Sequence, residues 1–165
     1  KADEEKRLLF QKKIEQYKQE KRDICYLDES GNAVDMPRTH GYAPKGERCY
    51  GIQDWGARGR INVIGAIIGR VLFAVGLFYC SVDSEVFGAW VKTMLLPNLH
   101  KPTVIVMDNA SFHKNEVLLQ EIRRSGHIIE FLPPYSPDLN PIEHKWAEKK
   151  AYRRKYRCSV EECYA

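Results

Sequence analysis

Apolar residues recur at helical spacing in residues 1–22, KADEEKRLLFQKKIEQYKQEKR, where Leu9, Phe10, Ile14 and Tyr17 form one stripe in a charged background. That pattern predicts a lead-in helix docking on a core. The stretch DICYLDES then reads as a short buried strand ending in acid, followed by the turn-rich GNAVDMPRTHGYAPKGERC. RINVIGAII and VLFAVGLFYC are apolar, β-branched runs separated by Gly69 and Arg70, the pattern of a hairpin. SEVFGAWVKTMLLPNL predicts a helix with Val86, Trp90, Val91 and Met94 on one face and Ser81 or Asp83 as cap. The continuous apolar run in PTVIVMDNA predicts a strand buried on both faces, in mid-sheet and parallel to a neighbour. A helix in KNEVLLQEIRRSG, stopped by Gly126, a strand in HIIEFLPP and a basic helix from Pro141 complete the chain. Antiparallel strands first and helical crossovers later imply a mixed sheet with helices on its faces, an α/β class.

Composition changes this picture little. The 165 residues suit one domain with its own core. The net charge of +4 is mildly basic and leaves the partner open until its distribution is considered. The five cysteines are scattered without a Cys-x-x-Cys pair, which argues against a disulfide framework or a zinc site and for a reducing compartment. The apolar run VLFAVGLFYC, the longest, is too short to span a bilayer.

Candidate chemistry enters through acids at the ends of elements. Asp28 ends one predicted strand and Asp108 another, and open α/β sheets build their sites at the carboxyl ends of strands. Either aspartate alone reads as an ordinary turn residue. Glu143 is the third acid, in LPPYSPDLNPIEHKW. Asn140 suits a helix N-cap, Pro141 the first helical position and Glu143 the third, so Asn-x-x-Glu reads as a capping box. The rival reading is that Asp28, Asp108 and Glu143 hold Mg²⁺, a hard cation satisfied by a few carboxylates. Two such ions can clamp the attacking and leaving oxygens of an in-line phosphoryl displacement.

DES after one strand, MDNASFHK after another and LPPYSPDLNPIEHKW resemble the signature segments of the mariner-like DDE transposases, in their bacterial insertion-sequence branch. Thirty-four residues separate Asp108 from Glu143, which fits that pattern. The resemblance covers about residues 5–160. It implies a ribonuclease H-like fold, with a mixed five-stranded sheet flanked by helices, in a catalytic domain at residues 23–165 behind the lead-in helix. By matching position, it makes Asp28, Asp108 and Glu143 both the catalytic residues and the ligands of two Mg²⁺ ions, with Mn²⁺ as a substitute. The activity implied is cut-and-paste transposition: cleavage at transposon ends, then joining of the freed 3′-OH to target DNA at TA. The partners implied are transposon-end and target DNA, with a homodimer in the full-length protein, in the bacterial cytoplasm and away from membranes. Such transposases begin with a helix-turn-helix region that reads the element's ends. Residues 1–22 are too short for it, so the expectation is a catalytic domain alone.

Asn109 and His113, in the same MDNASFHK segment, are placed by the resemblance as supporting residues beside the metals. Glu29 adjoins Asp28 but faces the other side of a strand, so it reads as structural. His40, His100 and His127 lack ligand spacing and read as surface or loop residues, and Asp35, Asp54 and Asp138 as turn residues. From Lys145 to Arg157 seven Lys or Arg face one acid, Glu148. This imbalance favours phosphate contacts over a merely solvated face, and Lys149, Lys150, Arg153 and Arg154 are the candidates. Tyr135 reads as a packing residue, with base stacking as the alternative. Two other functions fit the same residues: a structure-selective nuclease that cuts without joining, and a non-catalytic DNA-binding module.

Overall fold

The computed structural model describes residues 1–34 and 59–165. Asp35, His40, Cys49, Asp54 and most of the turn-rich stretch lie outside the described residues. Helix α1 (Glu4–Gln19) leads into β1 (Asp23–Ala33), then the hairpin β2 (Arg60–Ile68) and β3 (Val71–Phe78). Next come α2 (Ser84–Trp90), β4 (Thr103–Met107), α3 (Glu116–Arg124), β5 (Ile128–Phe131), α4 (Ile142–Tyr156) and α5 (Val160–Tyr164). The five strands lie in the order β3-β2-β1-β4-β5. The first three are antiparallel, and β4 runs parallel to both its neighbours. This is the mixed, helix-flanked sheet that the pattern implies, with the five strands of the ribonuclease H-like fold that the resemblance implies.

Each face of the sheet has its own core. Cys25, Leu27, Ile64, Ala66, Ile105 and Met107 point to one face and pack against Phe87, Trp90, Leu118 and Ile122 of α2 and α3. On the other face Phe10 and Ile14 of α1 cover Ile24, Val104 and Val106. Beside them, Ile142 and Trp146 of α4, with Val160 of α5, cover Ile61, Val63 and Ile67. Each of these buried aliphatic or aromatic side chains contributes about 1.5–3 kcal/mol. Strand β4 is buried along all five residues, as its unbroken apolar run requires.

Some local expectations need correction. Strand β1 runs on to Ala33, so Asp28 lies within the strand rather than at its end. Helix α2, capped by Asp83, widens into a π-helical turn over Val91–Leu95, and the stripe it buries is Phe87, Trp90, Val91 and Leu95. Val86 and Met94 are only partly buried. In α1, Phe10 and Ile14 are buried but Leu9 is exposed. His127 is buried, not a surface residue: its Nδ1 accepts the Thr103 N–H at 3.1 Å, and burial lowers its pKa.

Candidate active site

Parallel pairing aligns Tyr26 with Val106. Continued by two residues, that register puts Asp28 level with Asp108, which follows the last residue of β4. Strand β1 keeps its bonds to β2 at this height, where Asp28 pairs with Gly65. Asp28 shares the parity of Ile24 and Tyr26 and so faces α1 and α4. The first turn of α4 brings Glu143 to the same place. Asp28, Asp108 and Glu143 line one cavity of about 280 Å³, together with Asn109, Tyr135, Asn140 and the proline loop. Three acids remote in sequence thus meet at one edge of the sheet.

Gly65 helps set where α4 lies. A Cβ at this position would stand 2.9 Å from the Trp146 ring, so only glycine lets that ring settle on the sheet beside Asp28. Trp146 is one turn beyond Glu143, and its seat fixes the helix that carries the acid.

Glu143 is not part of a capping box. Helix α4 starts at Ile142 with no side-chain cap, and Asn140 instead ends a short 3₁₀ turn over Pro137–Leu139. The Glu143 N–H bonds the Asn140 carbonyl at 3.2 Å. The Asn140 side chain is buried against the cavity, and its Oδ1 has no hydrogen-bond partner among the described residues. A buried orphan oxygen costs about 1–3 kcal/mol unless something donates to it or it ligates a cation.

Burial pushes the Asp28 carboxyl up to about 8. The bond it accepts from the Glu29 backbone opposes this, whereas the charges of Glu29, Asp108 and Glu143 add to it. Asp108 moves the other way, held below the usual carboxylate range chiefly by its bond to His113. Asp108 Oδ1 accepts from His113 Nδ1 at 2.8 Å and from the Ala110 N–H at 3.0 Å. The His113 ring is fully buried between Phe87 and Phe112, with each ring centroid 4.5 Å away, and its Nε2 lies 2.7 Å from Glu29 Oε1. Burial opposes its charge, but the bonds to Asp108 and Glu29 prevail and raise its pKa to about 10. His113 is therefore an imidazolium clamped between two carboxylates at neutral pH.

Carboxylate oxygens of Asp28, Glu29 and Asp108 come within 4.8 Å of one another, and Glu143 stands outside that trio on the α4 wall. Glu29 faces the α2–α3 side, as strand alternation requires, and is committed to His113. Sequence reasoning classed it as structural and missed this link. Its only visible signal was adjacency to Asp28. Asn109 lines the cavity and also fastens the loop, since its Nδ2 donates to the Leu132 carbonyl and ties the end of β4 to the prolines that follow β5.

The basic helix divides. Ile142, Trp146 and Arg153 share its buried stripe. Arg153 accordingly turns inward: its guanidinium donates to the carbonyls of Ala33 at 2.6 Å, Val34 at 3.0 Å and Cys158 at 3.3 Å. Lys149 also turns inward, bonding the Cys163 carbonyl at 3.1 Å with its Nζ 5.7 Å from the centre of the Tyr164 ring. Lys150 and Arg154 fall two and three turns beyond Glu143 on the stripe that it begins. Arg154 is exposed and Lys150 half-exposed. Asp138 lies in a 3₁₀ turn, as a turn residue should, and receives Arg7 of α1 at 2.9 and 2.7 Å. His100 is exposed, as expected, and so is Tyr135, which does not pack. None of the described helices is long and apolar enough to cross a membrane.

A family model described as DDE superfamily endonuclease matches residues 23–162. None of the curated proteins matches the sequence. Among solved structures, the chain is similar to Mos1 transposase in its paired-end complex with the left transposon end: TM-score 0.68, 14% identity, 90% of this chain and 47% of that one. The catalytic domain of Mos1 mariner transposase matches with TM-score 0.64 at 12% identity, over 90% of this chain and 69% of that one. The Mos1 mariner paired-end complex with Mn matches with TM-score 0.60 at 16% identity, over 82% and 44%. At these identities the likeness is one of fold. The chain spans just under half the length of the Mos1 chains in the two complexes.

Proposed function

Because the chain belongs to the DDE superfamily endonucleases, we propose that it is the catalytic domain of a mariner-like DNA transposase, cleaving at transposon ends and joining the freed 3′-OH to target DNA, at TA by resemblance. The observation that carries this reading is the convergence of Asp28, Asp108 and Glu143 on one cavity from three separate elements. The donor set is all oxygen, which suits Mg²⁺ or Mn²⁺. The unpartnered Asn140 Oδ1 on the cavity wall adds a further oxygen of the same kind. The reading assigns the two cations to Asp28, Asp108 and Glu143. When bound, they supply charge stabilisation to the attacking and leaving oxygens of a phosphodiester.

The chain's own residues prepare that site. His113 and Ala110 occupy Oδ1 of Asp108 and leave Oδ2 without a hydrogen-bond partner among the described residues. Glu29 holds the other side of His113 and so keeps the ring from turning. Burial disfavours a bare Asp28 carboxylate, so a cation bound there would take the place of its proton and supply the charge compensation that burial withholds. Lys150 and Arg154 extend from Glu143 along the helix and neutralise phosphates of the bound DNA. Transposon-end and target DNA are the partners on this reading, and a homodimer is the assembly, in the bacterial cytoplasm.

Titration of Mn²⁺ by calorimetry into the wild type and Asp108→Ala tests the assignment. The variant also takes one carboxylate from the buried His113, so it is expected to melt lower while remaining folded and to lose the binding heat; unchanged affinity in the folded variant would sink the assignment. Incubation with a labelled, pre-cut 3′-OH duplex and plasmid then separates transposase from nuclease, since a nuclease leaves the label unjoined.

A further inference from the structure

Tyr135 stands apart from the other residues of the cavity. It is 77% exposed at the lip of the recess that holds Asp28, Asp108 and Glu143. Its backbone is left-handed, with φ of +54°, a conformation that a turn would ordinarily give to glycine or asparagine. Its ring is held out rather than left loose. Ser136, itself buried, donates from Oγ to the Pro134 carbonyl at 3.1 Å, bridging across Tyr135. Pro133, Pro134 and Pro137 restrict the backbone on either side. Leu132 N–H bonds the Met107 carbonyl at 2.8 Å, and Asn109 holds the Leu132 carbonyl, so the loop is fastened to the strand that ends at Asp108.

Among the described residues, the other exposed tyrosines are engaged with protein. Tyr79 bonds Glu161 at 2.7 Å, and Tyr152 and Tyr156 pair with ring centroids 4.6 Å apart. Tyr135 forms no ring pair or hydrogen bond among the described residues. A bulky aromatic in a backbone conformation disfavoured for it, rigidly presented and uncovered, gains nothing from the folded chain itself.

We propose that Tyr135 is a base-stacking residue, its ring receiving an unpaired nucleobase next to the phosphodiester that enters the carboxylate cavity. This rests on the DNA reading above. The cavity is a recess, so a phosphate seated in it draws its nucleotide away from the duplex stack. The displaced base then needs a new face, and an aromatic ring serves any base. The ligand class is a nucleobase in single-stranded context, without sequence preference.

The test uses a duplex with one unpaired 2-aminopurine beside the terminal phosphate, in Ca²⁺, with a fully paired duplex alongside. Wild type and Tyr135→Phe are expected to quench the 2-aminopurine. Tyr135→Ala and Tyr135→Gly are expected to abolish quenching and to weaken binding of the unpaired substrate about tenfold, the scale of one base–aromatic stack. All four should bind the paired duplex alike and melt at similar temperatures. Glycine is the sharper variant, because it accepts the left-handed backbone and removes only the ring. Quenching that survives in Tyr135→Gly overturns the proposal, as does wild-type binding to the paired duplex with no quenching of the unpaired one. The Lys150→Ala/Arg154→Ala double variant separates the premise: if the wild type binds neither duplex, or the double variant binds both as the wild type does, the DNA reading fails and this inference with it.

Discussion

Two helices of this protein begin with the same local pattern and use it differently. At α5, Ser159 and Glu162 form a reciprocal capping box: the Ser159 Oγ accepts the Glu162 N–H at 3.1 Å, and the Glu162 carboxylate accepts the Ser159 N–H at 2.8 Å. At α4, Asn140 and Glu143 have the same spacing, yet no such bonds form. Asn140 is drawn into the wall of the cavity, and Glu143 is left facing Asp28 and Asp108. The α5 pair uses its hydrogen-bonding capacity on its own helix. The α4 pair keeps that capacity free. A local motif left unsatisfied beside two other acids is a better mark of a site than the motif itself.

The largest expected difference is in catalysis. Glu143→Gln should lower strand joining by roughly two to three orders of magnitude, the loss seen when a main electrostatic group is removed. Its melting temperature should stay near wild type, because no cap is lost. Glu162→Gln should leave joining intact, since glutamine serves a capping box. Equal activity in the two variants would erase the comparison.

Next in size is a pH effect confined to the cavity. Folded Asp28 holds its proton to about pH 8, whereas an unfolded aspartate releases it near 3.9. Between those values the native state binds the extra proton, so metal-free stability falls as pH rises, by on the order of a few kcal/mol. His113, raised to about 10, adds to the decline at the alkaline end. Asp28→Asn should flatten the slope between pH 4 and 8 in denaturant melts, and saturating Mn²⁺ should do the same in wild type. A wild-type slope of zero in this range would contradict the burial of Asp28.

Gly65→Ala probes the seat of α4. The new methyl meets the Trp146 ring, and overpacking of this kind costs about 1–3 kcal/mol. Because Trp146 lies one turn from Glu143, joining should fall as well, and metal affinity with it. A variant with lowered stability and unchanged metal affinity would show that Glu143 is placed without help from this contact.

The smallest effect belongs to the caps themselves. Ser159→Ala should cost about 1 kcal/mol with no change in metal binding. Asn140→Ala should cost less stability than that, or none, because it removes a buried orphan rather than a cap, yet it should weaken Mn²⁺ binding. Urea melts and calorimetry on the pair decide between the two roles.

The chain's periodicity was enough to determine the five strands, the first four helices and the α/β class, but not α5, the reach of β1 or the π-helical turn after α2. The alternation that buries Leu27 on one face sends Asp28 to the other, and the unbroken apolar run of β4 forces it into mid-sheet between parallel neighbours. The three acids were singled out because each stands in a short segment that resembles a family signature, and the structure brings all three to one cavity. Long-range placement was not legible. Whether Asn140 caps a helix depends on where the proline loop is tied, and that tie comes from Asn109, thirty-one residues earlier. Whether Arg153 turns inward or outward depends on which stripe of α4 lies on the sheet, and the buried Ile142 and Trp146 decide that. The link from Glu29 through His113 to Asp108 joins β1 to the residue that follows β4, and no local pattern encodes it. Local sequence sets backbone preference and side-chain period, since both are governed by neighbouring residues. Which polar groups end up paired, orphaned or clamped is settled only when remote segments close on one another and exclude water.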